Sequence, residues 1–518
     1  MLQPLQPVTV AAPELGAQAR APYVEALQRH AVAGPAHLMV PGHGNDPRHG
    51  AGHLSDVFGA QVTALDVPLM LEGIDLGDDS PLEQALRLAA EAWGARRAWF
   101  LTNGASQGNR TAALAVRGLG ERVLMQRSAH SSFTDGVLLA GLIPSFIAPT
   151  LDQRNGISHG LTPERLDAAL AHEAAAGRAV ASVYVVSPSY FGSTADVAGL
   201  AAAAHAHGAA LVVDGAWGAH FGFHPALPES PTRLGADLVI SSTHKLAGSL
   251  TQSAMLHLGE GPFADRLEAL VARAYTMTSS TSASAVLMGS LDAARQALVG
   301  GRERMGEAIA RADALRDALR ADPRYGVIAD GFDAFSDIVA DDPLRVAIDV
   351  SRLGQSGHWV RERLIAGHGV YMEMSTATTV VAVIGALTTI DVERLIAALT
   401  AVADEADALR HADDVLAVET FPALPAAGTL RMLPRTAYFA ESIVVPAEVA
   451  IGRVSADTLA AYPPGIPNLV PGEEITRETV EFLQAVAASP TGFVRGAADP
   501  QVRKFRVVRD PVGASLQA

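Results

Sequence analysis

The alternation of short apolar segments with helical segments between residues 80 and 240 constrains the fold more than any other feature of this sequence. Strands are predicted at 97–101, 122–126, 144–148, 181–186, 210–213 and 238–240. Helices are predicted at 81–93, 106–118 and 163–175, and one more after residue 131. This alternation is typical of an α/β domain built around a mostly parallel sheet. Because the strands are largely apolar, both faces of that sheet are expected to be covered.

The whole chain is predicted to have four parts, since 518 residues are too many for one compact core. Residues 1–55 form an N-terminal arm, 56–300 the large domain, 301–420 a smaller α+β domain and 421–518 a C-terminal region. The last part contains a proline-rich run from Tyr462 to Glu473. Since proline interrupts helices and strand ladders, this run is expected to form neither and to wrap the surface or a subunit contact.

Charge and composition exclude several classes of function. The chain has 39 Lys and Arg against 55 Asp and Glu, a net charge of −16, which argues against a nucleic-acid or anionic-membrane surface. It has no cysteine, so disulfides, thiolate metal sites and cysteine nucleophiles are excluded. The sequence shows neither a signal-peptide pattern nor a membrane-length apolar run, and a cytoplasmic protein is expected.

A glycine- and histidine-rich stretch near the N-terminus allows two interpretations. It contains His43 and His49, with His53 just after it. Such a stretch is typical of a surface loop, but three histidines also raise the question of a metal. The carboxylate or histidine spacing typical of a zinc helix does not accompany them. No metal is therefore predicted.

A lysine at the end of an apolar strand gives the strongest chemical signal. The segment 238–240 runs into polar residues that end in Lys245. Such a lysine either extends to water or is a desolvated amine that can form a Schiff base with a carbonyl cofactor. The strand 210–213 ends in Asp214, and pyridoxal phosphate needs both a lysine and a carboxylate for its pyridine nitrogen. The pair therefore predicts pyridoxal phosphate.

The turn from Asn103 to Asn109 follows one strand and opens a helix. Free backbone N–H groups at such a helix start attract anions, so the turn resembles a phosphate cradle, although an Asn-Gly turn with a serine cap looks the same. Ligands of α/β sheets bind at the carboxyl ends of the strands. We therefore expect this turn, the segment Ser187 to Gly192, Asp214 and Lys245 to lie together.

These motifs, in this order, resemble the Orn/Lys/Arg decarboxylases, which are fold-type-I pyridoxal phosphate enzymes related to the aspartate aminotransferase superfamily. The resemblance runs from the Pro-Gly-His sequence that ends at His43 to the Pro-Gly-Glu sequence that ends at Glu473. It implies an aspartate aminotransferase-like large domain with smaller α+β domains. The chain resembles the short form of the family, without a receiver-like domain before the arm.

The resemblance implies four catalytic residues. Lys245 would form the Schiff base, and Asp214 would pair with the pyridine nitrogen. His130 matches the histidine that stacks on the cofactor. His244 would orient phosphate or carboxylate groups, and either it or Lys245 would return a proton to the α-carbon.

The resemblance also implies further binding positions, one of them for the substrate. Glu373 matches a carboxylate that faces the distal cationic group of the substrate. Thr281 and Ser282 would reach the phosphate of the partner subunit, which implies a homodimer with shared sites and leaves a higher oligomer open. The cofactor positions other than the four catalytic residues are Gly104, Ala105, Ser106, Ala216, Trp217, Ser242, Thr281 and Ser282.

The implied activity is decarboxylation of arginine, lysine or ornithine to an amine or polyamine precursor. Departures from the family pattern fall mainly on the substrate side, where Ala283 and Ala285 replace a proline and an aromatic residue and Trp217 replaces a histidine found in many short-form members. Two alternatives stay open. One is the same cofactor with another outcome, such as transamination, deamination or oxidation. The other is a non-catalytic paralogue.

Overall fold

The computed structural model of the chain describes residues 16–46, 52–411, 425–462, 466–489 and 492–509. Three helices near the N-terminus form part of the predicted arm and its continuation: α1 (Pro22–Ala33), α2 (Gly52–Phe58) and α3 (Ala60–Leu65). The first packs on the large domain, where the backbone N–H of Tyr23 donates to Asp292 over 3.0 Å. A short 3-10 helix (Gly16–Ala19) precedes it.

A seven-stranded sheet forms the centre of the large domain. Its spatial order is β1-β10-β9-β8-β6-β2-β3, and only β10 runs antiparallel to its neighbours. The strands are β1 (Arg97–Leu101), β2 (Arg122–Gln126), β3 (Ile143–Ile147), β6 (Ser182–Val186), β8 (Ala210–Asp214), β9 (Leu238–Ser241) and β10 (Ala254–Leu258). The predicted mostly parallel α/β sheet is thus confirmed, and the antiparallel β10 is an addition that the sequence analysis did not predict.

Helices cover the sheet as the alternation predicts, and local signals set their ends. In α4, Ser80 accepts a hydrogen bond from the backbone of Glu83 over 3.3 Å, and Gly94 ends the helix in the left-handed conformation with φ of 68°. The helices of this part are α4 (Pro81–Trp93), α5 (Gly104–Val116), α6 (Ser131–Ala140), α7 (Pro163–Ala175), α8 (Val197–Ala206), α9 (Thr243–Leu246), α10 (Ala264–Thr278) and α11 (Ala285–Gly300).

A four-stranded antiparallel sheet with three helices follows, as predicted for the smaller α+β part. Its order is β11-β13-β15-β14. The strands are β11 (Gly326–Val327), β13 (Arg345–Asp349), β14 (Met374–Ser375) and β15 (Thr379–Val383), and the helices are α12 (Arg302–Ala321), α13 (Gly357–His368) and α14 (Val392–His411), with 3-10 turns at Ile328–Ala334 and Ser351–Leu353. Two-residue strands complete this region: β4 (Leu151–Asp152) pairs with β5 (Ile157–Ser158), and β7 (Ser193–Thr194) pairs with β12 (Ala340–Asp341).

The C-terminal region corrects one prediction. The proline-rich run was expected to form neither helix nor strand, yet strands end and begin on either side of residues 463–465, which lie outside the described residues. The elements are α15 (Pro434–Phe439), β16 (Ser442–Pro446), α16 (Ala447–Ala450), β17 (Leu459–Tyr462), β18 (Ile466–Leu469), α17 (Arg477–Ala488), β19 (Phe493–Arg495) and β20 (Lys504–Val508). The region also has its own buried core, which includes Leu483 and Phe505. Burial of apolar residues such as Leu459 and Leu469 favours these strands more than the nearby prolines oppose them.

One hydrophobic cluster runs from α1 through α4 and α11 to α12 and the small sheet. Because this core crosses residues 55 and 300, the four-part division of the chain remains a prediction. Among the residues that the structure describes, no helix is long and apolar enough to cross a membrane.

Candidate active site

The carboxyl ends of five strands converge at one edge of the large sheet, as predicted. Since β1, β2, β6, β8 and β9 all point the same way, the residues that follow them meet there. Asn103 follows β1, His130 follows β2, Asp214 ends β8 and Lys245 follows β9. The segment from Ser187 follows β6.

Asp214 is a buried carboxylate held by three donors. Its Oδ2 accepts from Tyr184 Oη over 2.6 Å and from Asn109 Nδ2 over 3.0 Å, and its Oδ1 accepts from the N–H of Ala216 over 3.1 Å. Burial, and after it the neighbouring Asp214, raise the pKa of Tyr184 well above its usual value. The tyrosine therefore stays protonated and donates this hydrogen bond to Asp214. Asp214 remains an acceptor for a further donor in the site.

A hydrogen-bond chain connects Asp214 to His130. Asn109 Nδ2 also donates to Ser132 Oγ over 2.9 Å, and Ser132 Oγ lies 2.8 Å from His130 Nδ1. The N–H of Ser132 donates to the same Nδ1 over 3.2 Å, so this nitrogen is an acceptor and the ring proton lies on Nε2. Burial is the main cause of the lowered pKa of His130, so the ring is neutral near pH 7.

Lys245 lies on α9 with its Nζ 3.6 Å from the centre of the Trp217 ring and 6.0 Å from that of Tyr190. Burial lowers its pKa to about 8. Asp214 opposes this shift, the cation of Arg345 adds to it, and Glu373 opposes it. An amine with this pKa is available in its neutral, nucleophilic form far more than a surface lysine.

The loop from α9 to β10 joins Lys245 to the helix start at α5. His244 Nδ1 donates to the carbonyl of Ser253 over 2.9 Å, which leaves its Nε2 as an acceptor, and burial lowers the pKa of this histidine. Gln252 Nε2 donates to Asn103 Oδ1 over 3.0 Å. The loop therefore holds His244 and the turn at residue 103 in one arrangement.

The predicted phosphate cradle is the first turn of α5, which has 13 residues. Gly104 has φ of 72°, a conformation that favours glycine, and the helix runs on through Ala105 and Ser106. The first N–H groups of a helix have no partner within it and face an anion that binds there. Ser242 lies buried at the end of β9, two strands away from β1. Its hydroxyl is placed at the same edge of the sheet.

Arg345, which the sequence analysis missed, lies on β13 and reaches the site from the small sheet. Its guanidinium carbon is 3.8 Å from the centre of the Trp217 ring, and its Nη1 donates to the carbonyl of Tyr190 over 2.5 Å.

Two donors of Arg345 are unpaired within the described part of the chain. The residue is 2% exposed, and its Nε and Nη2 have no hydrogen-bond partner among the described residues. Burial lowers the pKa of Arg345 to about 10. A buried guanidinium with two open donors favours an anionic ligand.

Glu373 lies just before β14, with its backbone N–H donating to the carbonyl of Val381 over 3.0 Å. The residue is exposed, yet its charge raises the pKa values of Lys245, His244 and Arg345. The carboxylate therefore interacts electrostatically with Lys245 within the same subunit. This position suits the predicted contact with a cationic substrate group.

Thr281 and Ser282 are exposed in the turn between α10 and α11. The described hydrogen bonds of Ser282 go to Ser280, over 3.1 Å from its N–H. None of the contacts above connects the two residues to Lys245. Their predicted role concerns the partner subunit and stays a prediction.

The histidine-rich stretch is described in part, and its described part includes a hydrogen bond of His43. His43 Nε2 lies 3.1 Å from Asp66 Oδ2, while His49 falls outside the described residues. Across the described ranges, no group of three or more histidine or acidic side chains is arranged to hold a metal ion.

Sequence reasoning missed Tyr184 as well as Arg345, and it placed Asn109 only at the end of the turn. Tyr184 was visible as the one hydroxyl-bearing aromatic in the apolar strand β6. Arg345 starts a strand far along the chain, and its role depends on contacts with Trp217 and Tyr190. No local pattern gives such contacts.

The donor set fits pyridoxal phosphate. Three groups lie at one edge of the sheet. They are the amine of Lys245 with its lowered pKa, the carboxylate of Asp214 beside the protonated Tyr184, and the N-terminal turn of α5. These groups match the aldehyde, the pyridine nitrogen and the phosphate of the cofactor.

Comparison with known proteins agrees with this chemistry. The family model described as the Orn/Lys/Arg decarboxylase major domain matches residues 21–359, and the model of the C-terminal domain of that family matches residues 422–493. Arginine decarboxylase of Bacillus subtilis (strain 168) is 33% identical over 95% of this chain and 99% of its own length. Arginine decarboxylase of Halalkalibacterium halodurans is 34% identical over 95% of this chain and 98% of its length.

Among solved structures, lysine decarboxylase A from Pseudomonas aeruginosa superimposes with a TM-score of 0.79 and 22% identity, covering 95% of this chain and 80% of that one. Together with the family matches, this likeness confirms the predicted fold class, the large domain of fold-type-I pyridoxal phosphate enzymes with smaller domains after it. The family matches confirm the predicted cofactor. The chain belongs to the Orn/Lys/Arg decarboxylase family.

Proposed function

We propose that the protein is a pyridoxal phosphate-dependent decarboxylase that acts on a basic amino acid, with arginine as its preferred substrate. The observation that carries the proposal is Lys245, an amine 3.6 Å from the centre of the Trp217 ring whose pKa burial lowers to about 8. The choice of arginine rests on the two arginine decarboxylases that match over nearly their whole length.

The bound cofactor supplies an aldehyde for an amine and an electron-accepting ring for the electron pair left when carbon dioxide departs. Lys245 would hold the aldehyde, and Asp214 would accept a hydrogen bond from the ring nitrogen. The first turn of α5, with Gly104, Ala105 and Ser106, would hold the phosphate together with Ser242. Ala216 and Trp217 follow Asp214 and would line the ring.

Two histidines complete this side of the proposed site. His130 would cover the ring with its proton fixed on Nε2 by the hydrogen bonds at Nδ1. His244 would orient an anionic group, with its Nδ1 hydrogen-bonded to the carbonyl of Ser253. Since both rings have lowered pKa values, they are neutral at pH 7 and add no charge to the ring pocket.

The proton that replaces the lost carboxyl group needs a donor. His244 is a poor acid here because it is neutral near pH 7. Lys245 is better suited, since an amine with a pKa of about 8 is largely protonated at pH 7 and gives up its proton readily. We therefore propose that Nζ of Lys245 donates this proton to the α-carbon.

The substrate has an anionic and a cationic end, and the small sheet offers one group for each. Arg345 has two open donors that match a carboxylate in bidentate geometry. Glu373 carries the opposite charge and is exposed. Excess acidic charge over the chain also favours approach of a cationic substrate.

We also propose a homodimer with shared active sites, in which Thr281 and Ser282 contact the phosphate bound by the partner subunit. Their exposed position in the turn before α11 supports this assignment. A higher oligomer stays open, and a cytoplasmic location remains a prediction.

The test is a substrate panel with the cofactor-loaded protein. Purified protein is incubated with arginine, lysine and ornithine, and carbon dioxide, amine, keto acid and peroxide are measured. We expect amine and carbon dioxide in equal amounts, with the highest kcat/KM for arginine. A higher kcat/KM for lysine or ornithine would overturn the choice of arginine.

The alternatives predict other products. Keto acid or peroxide would indicate transamination, deamination or oxidation. A protein that binds the cofactor and turns over none of a broad amino-acid panel would be a non-catalytic paralogue. Either result would overturn decarboxylation as the function.

A further inference from the structure

The C-terminal region holds the segment before His130 through a buried ion pair. Arg127, three residues before His130, donates from its two Nη atoms to the two carboxylate oxygens of Glu473 over 2.8 and 2.9 Å. It also donates to the carbonyl of Asn468 over 2.9 Å, and its guanidinium lies 4.4 Å from the centre of the Phe146 ring. The side chain of Glu473 is 0% exposed. Both Nη groups of Arg127 are therefore directed at fixed acceptors.

The backbone of the C-terminal region is built to present Glu473. Gly472 has φ of 89°, and a Cβ at this position would lie 2.1 Å from the carbonyl oxygen of Met432, so a larger residue does not fit. The second carboxylate oxygen of Glu473 accepts from the N–H of Val470 over 2.9 Å. The C-terminal region therefore holds the carboxylate of Glu473 in place by contacts of its own, in addition to those with Arg127.

The same region also contacts both ends of α6, the helix that His130 caps. Arg495 donates to Ser131 Oγ over 3.2 Å at the first turn. Arg435 donates to the carbonyl of Leu139 over 2.8 Å at the last turn. With Arg127 and Glu473, these contacts hold the helix and the segment before it at three places along the chain. We call Glu473, Asn468, Arg495 and Arg435 the C-terminal clamp.

We propose that the C-terminal clamp sets the position of His130 over the cofactor ring, with Glu473 and Arg127 as positioning residues. The inference rests on the proposed function, in which His130 faces the cofactor. Its physical basis is the short covalent distance between Arg127 and His130 and the hydrogen bonds that already fix the ring at Nδ1. A shift of Arg127 would therefore move the ring as a whole.

The test compares Glu473→Gln with Glu474→Gln in the full chain. Glu474 is the next residue and forms an ion pair with Arg431 over 2.7 Å, but Arg431 is 58% exposed. The described side-chain hydrogen bond of this pair joins the two residues to each other. We measure the Kd of pyridoxal phosphate, the visible circular dichroism of the bound cofactor, and the thermal unfolding temperature. Glu473→Gln is expected to raise the Kd about tenfold or more and to change the dichroism. Glu474→Gln is expected to leave both within about twofold.

A double-mutant cycle separates positioning from a general loss of stability. If Glu473 acts through His130, Glu473→Gln changes the Kd by less than about twofold in a protein that already carries His130→Ala. An equal effect with and without His130, or a lower unfolding temperature with wild-type Kd and dichroism, would overturn the proposal. If Glu473→Gln does not fold, Arg127→Lys is measured instead, because it keeps the charge and loses the two-pronged contact. A folded Arg127→Lys with wild-type Kd would overturn it equally.

These readouts depend on cofactor binding and not on the reaction. If the Glu473 variants change Kd and dichroism as expected but the wild-type protein forms keto acid, the clamp proposal stands and the proposed decarboxylation fails. The two failures are therefore distinguishable.

Discussion

Asp214 and Arg345, which are buried charged groups on opposite sides of the candidate site, differ in how completely they are paired. On the large-sheet side, Asp214 accepts three hydrogen bonds, and Asn109 and Ser132 continue the chain to His130. On the small-sheet side, the buried guanidinium of Arg345 keeps two donors without a partner among the described residues. Unpaired buried donors carry a cost in stability, so such a group usually serves a ligand. The comparison indicates a large-sheet side that is organised for the cofactor and a small-sheet side that is completed by the substrate.

The largest expected effect tests the large-sheet side. Lys245→Ala removes the amine that would hold the cofactor and return the proton, and we expect kcat to fall by at least about 10³-fold. The visible absorbance of the cofactor attached to the lysine should disappear, while the free cofactor band remains. An absorbance spectrum unchanged from wild type would show that another residue is the attachment site.

The next effect concerns the pH dependence of cofactor attachment. Burial, with a smaller contribution from the cation of Arg345, lowers the pKa of Lys245 to about 8. The carboxylates of Asp214 and Glu373 oppose this shift. Because the neutral amine reacts, the rate at which cofactor-free protein takes up pyridoxal phosphate should rise about tenfold per pH unit below 8 and level off above it. Stopped-flow absorbance between pH 6 and 10 measures this rate. A rate that still rises at pH 10 would contradict a lowered pKa.

A smaller effect tests the small-sheet side. Arg345→Gln removes the proposed charged partner of the substrate carboxylate and should raise KM for arginine about 10- to 30-fold, while the cofactor spectrum stays as in wild type. The matched measurement is binding of the amine product, which has no carboxylate and should bind about equally to both proteins. Equal loss of affinity for arginine and amine would show that Arg345 supports the fold of the pocket and does not bind the carboxylate.

The smallest effect concerns Glu373. Glu373→Gln keeps the shape and removes the charge, and since the residue is exposed we expect KM for arginine to rise only about three- to tenfold. The rise should shrink in high salt, which screens exposed charges. Glu362→Gln, on the exposed face of α13, is the control and should leave KM unchanged. An unchanged KM in Glu373→Gln would remove this residue from the substrate pocket.

The sequence could predict the large-sheet side because its signals are local. Asp214 and Lys245 stand at strand ends, and parallel strands bring such ends together. Arg345 could not be found in this way, since its contacts join a strand of the small sheet to Trp217, more than 120 residues earlier. The strands beside residues 463–465 were missed because proline chemistry was given more weight than the apolar residues around it.

The same limit applies to the clamp. Arg127 and Glu473 are separated by 346 residues and meet only because the C-terminal region packs on α6. Pro471 and Gly472 before Glu473 were recognised as part of a family motif, yet the motif alone does not say which residue the carboxylate meets. Pairing between distant segments depends on tertiary packing, which no local pattern encodes.

The most direct test of the central claim follows the fate of the carboxyl carbon. Arginine labelled with carbon-13 in its carboxyl group is incubated with wild-type protein and pyridoxal phosphate in deuterated water, and the products are analysed by nuclear magnetic resonance and mass spectrometry. We predict that all label appears in carbon dioxide and bicarbonate, that the amine forms in equal amount with one deuterium at the former α-carbon, and that Lys245→Ala forms neither product above the background. Label retained in a keto acid, or equal product formation by Lys245→Ala, would contradict the account.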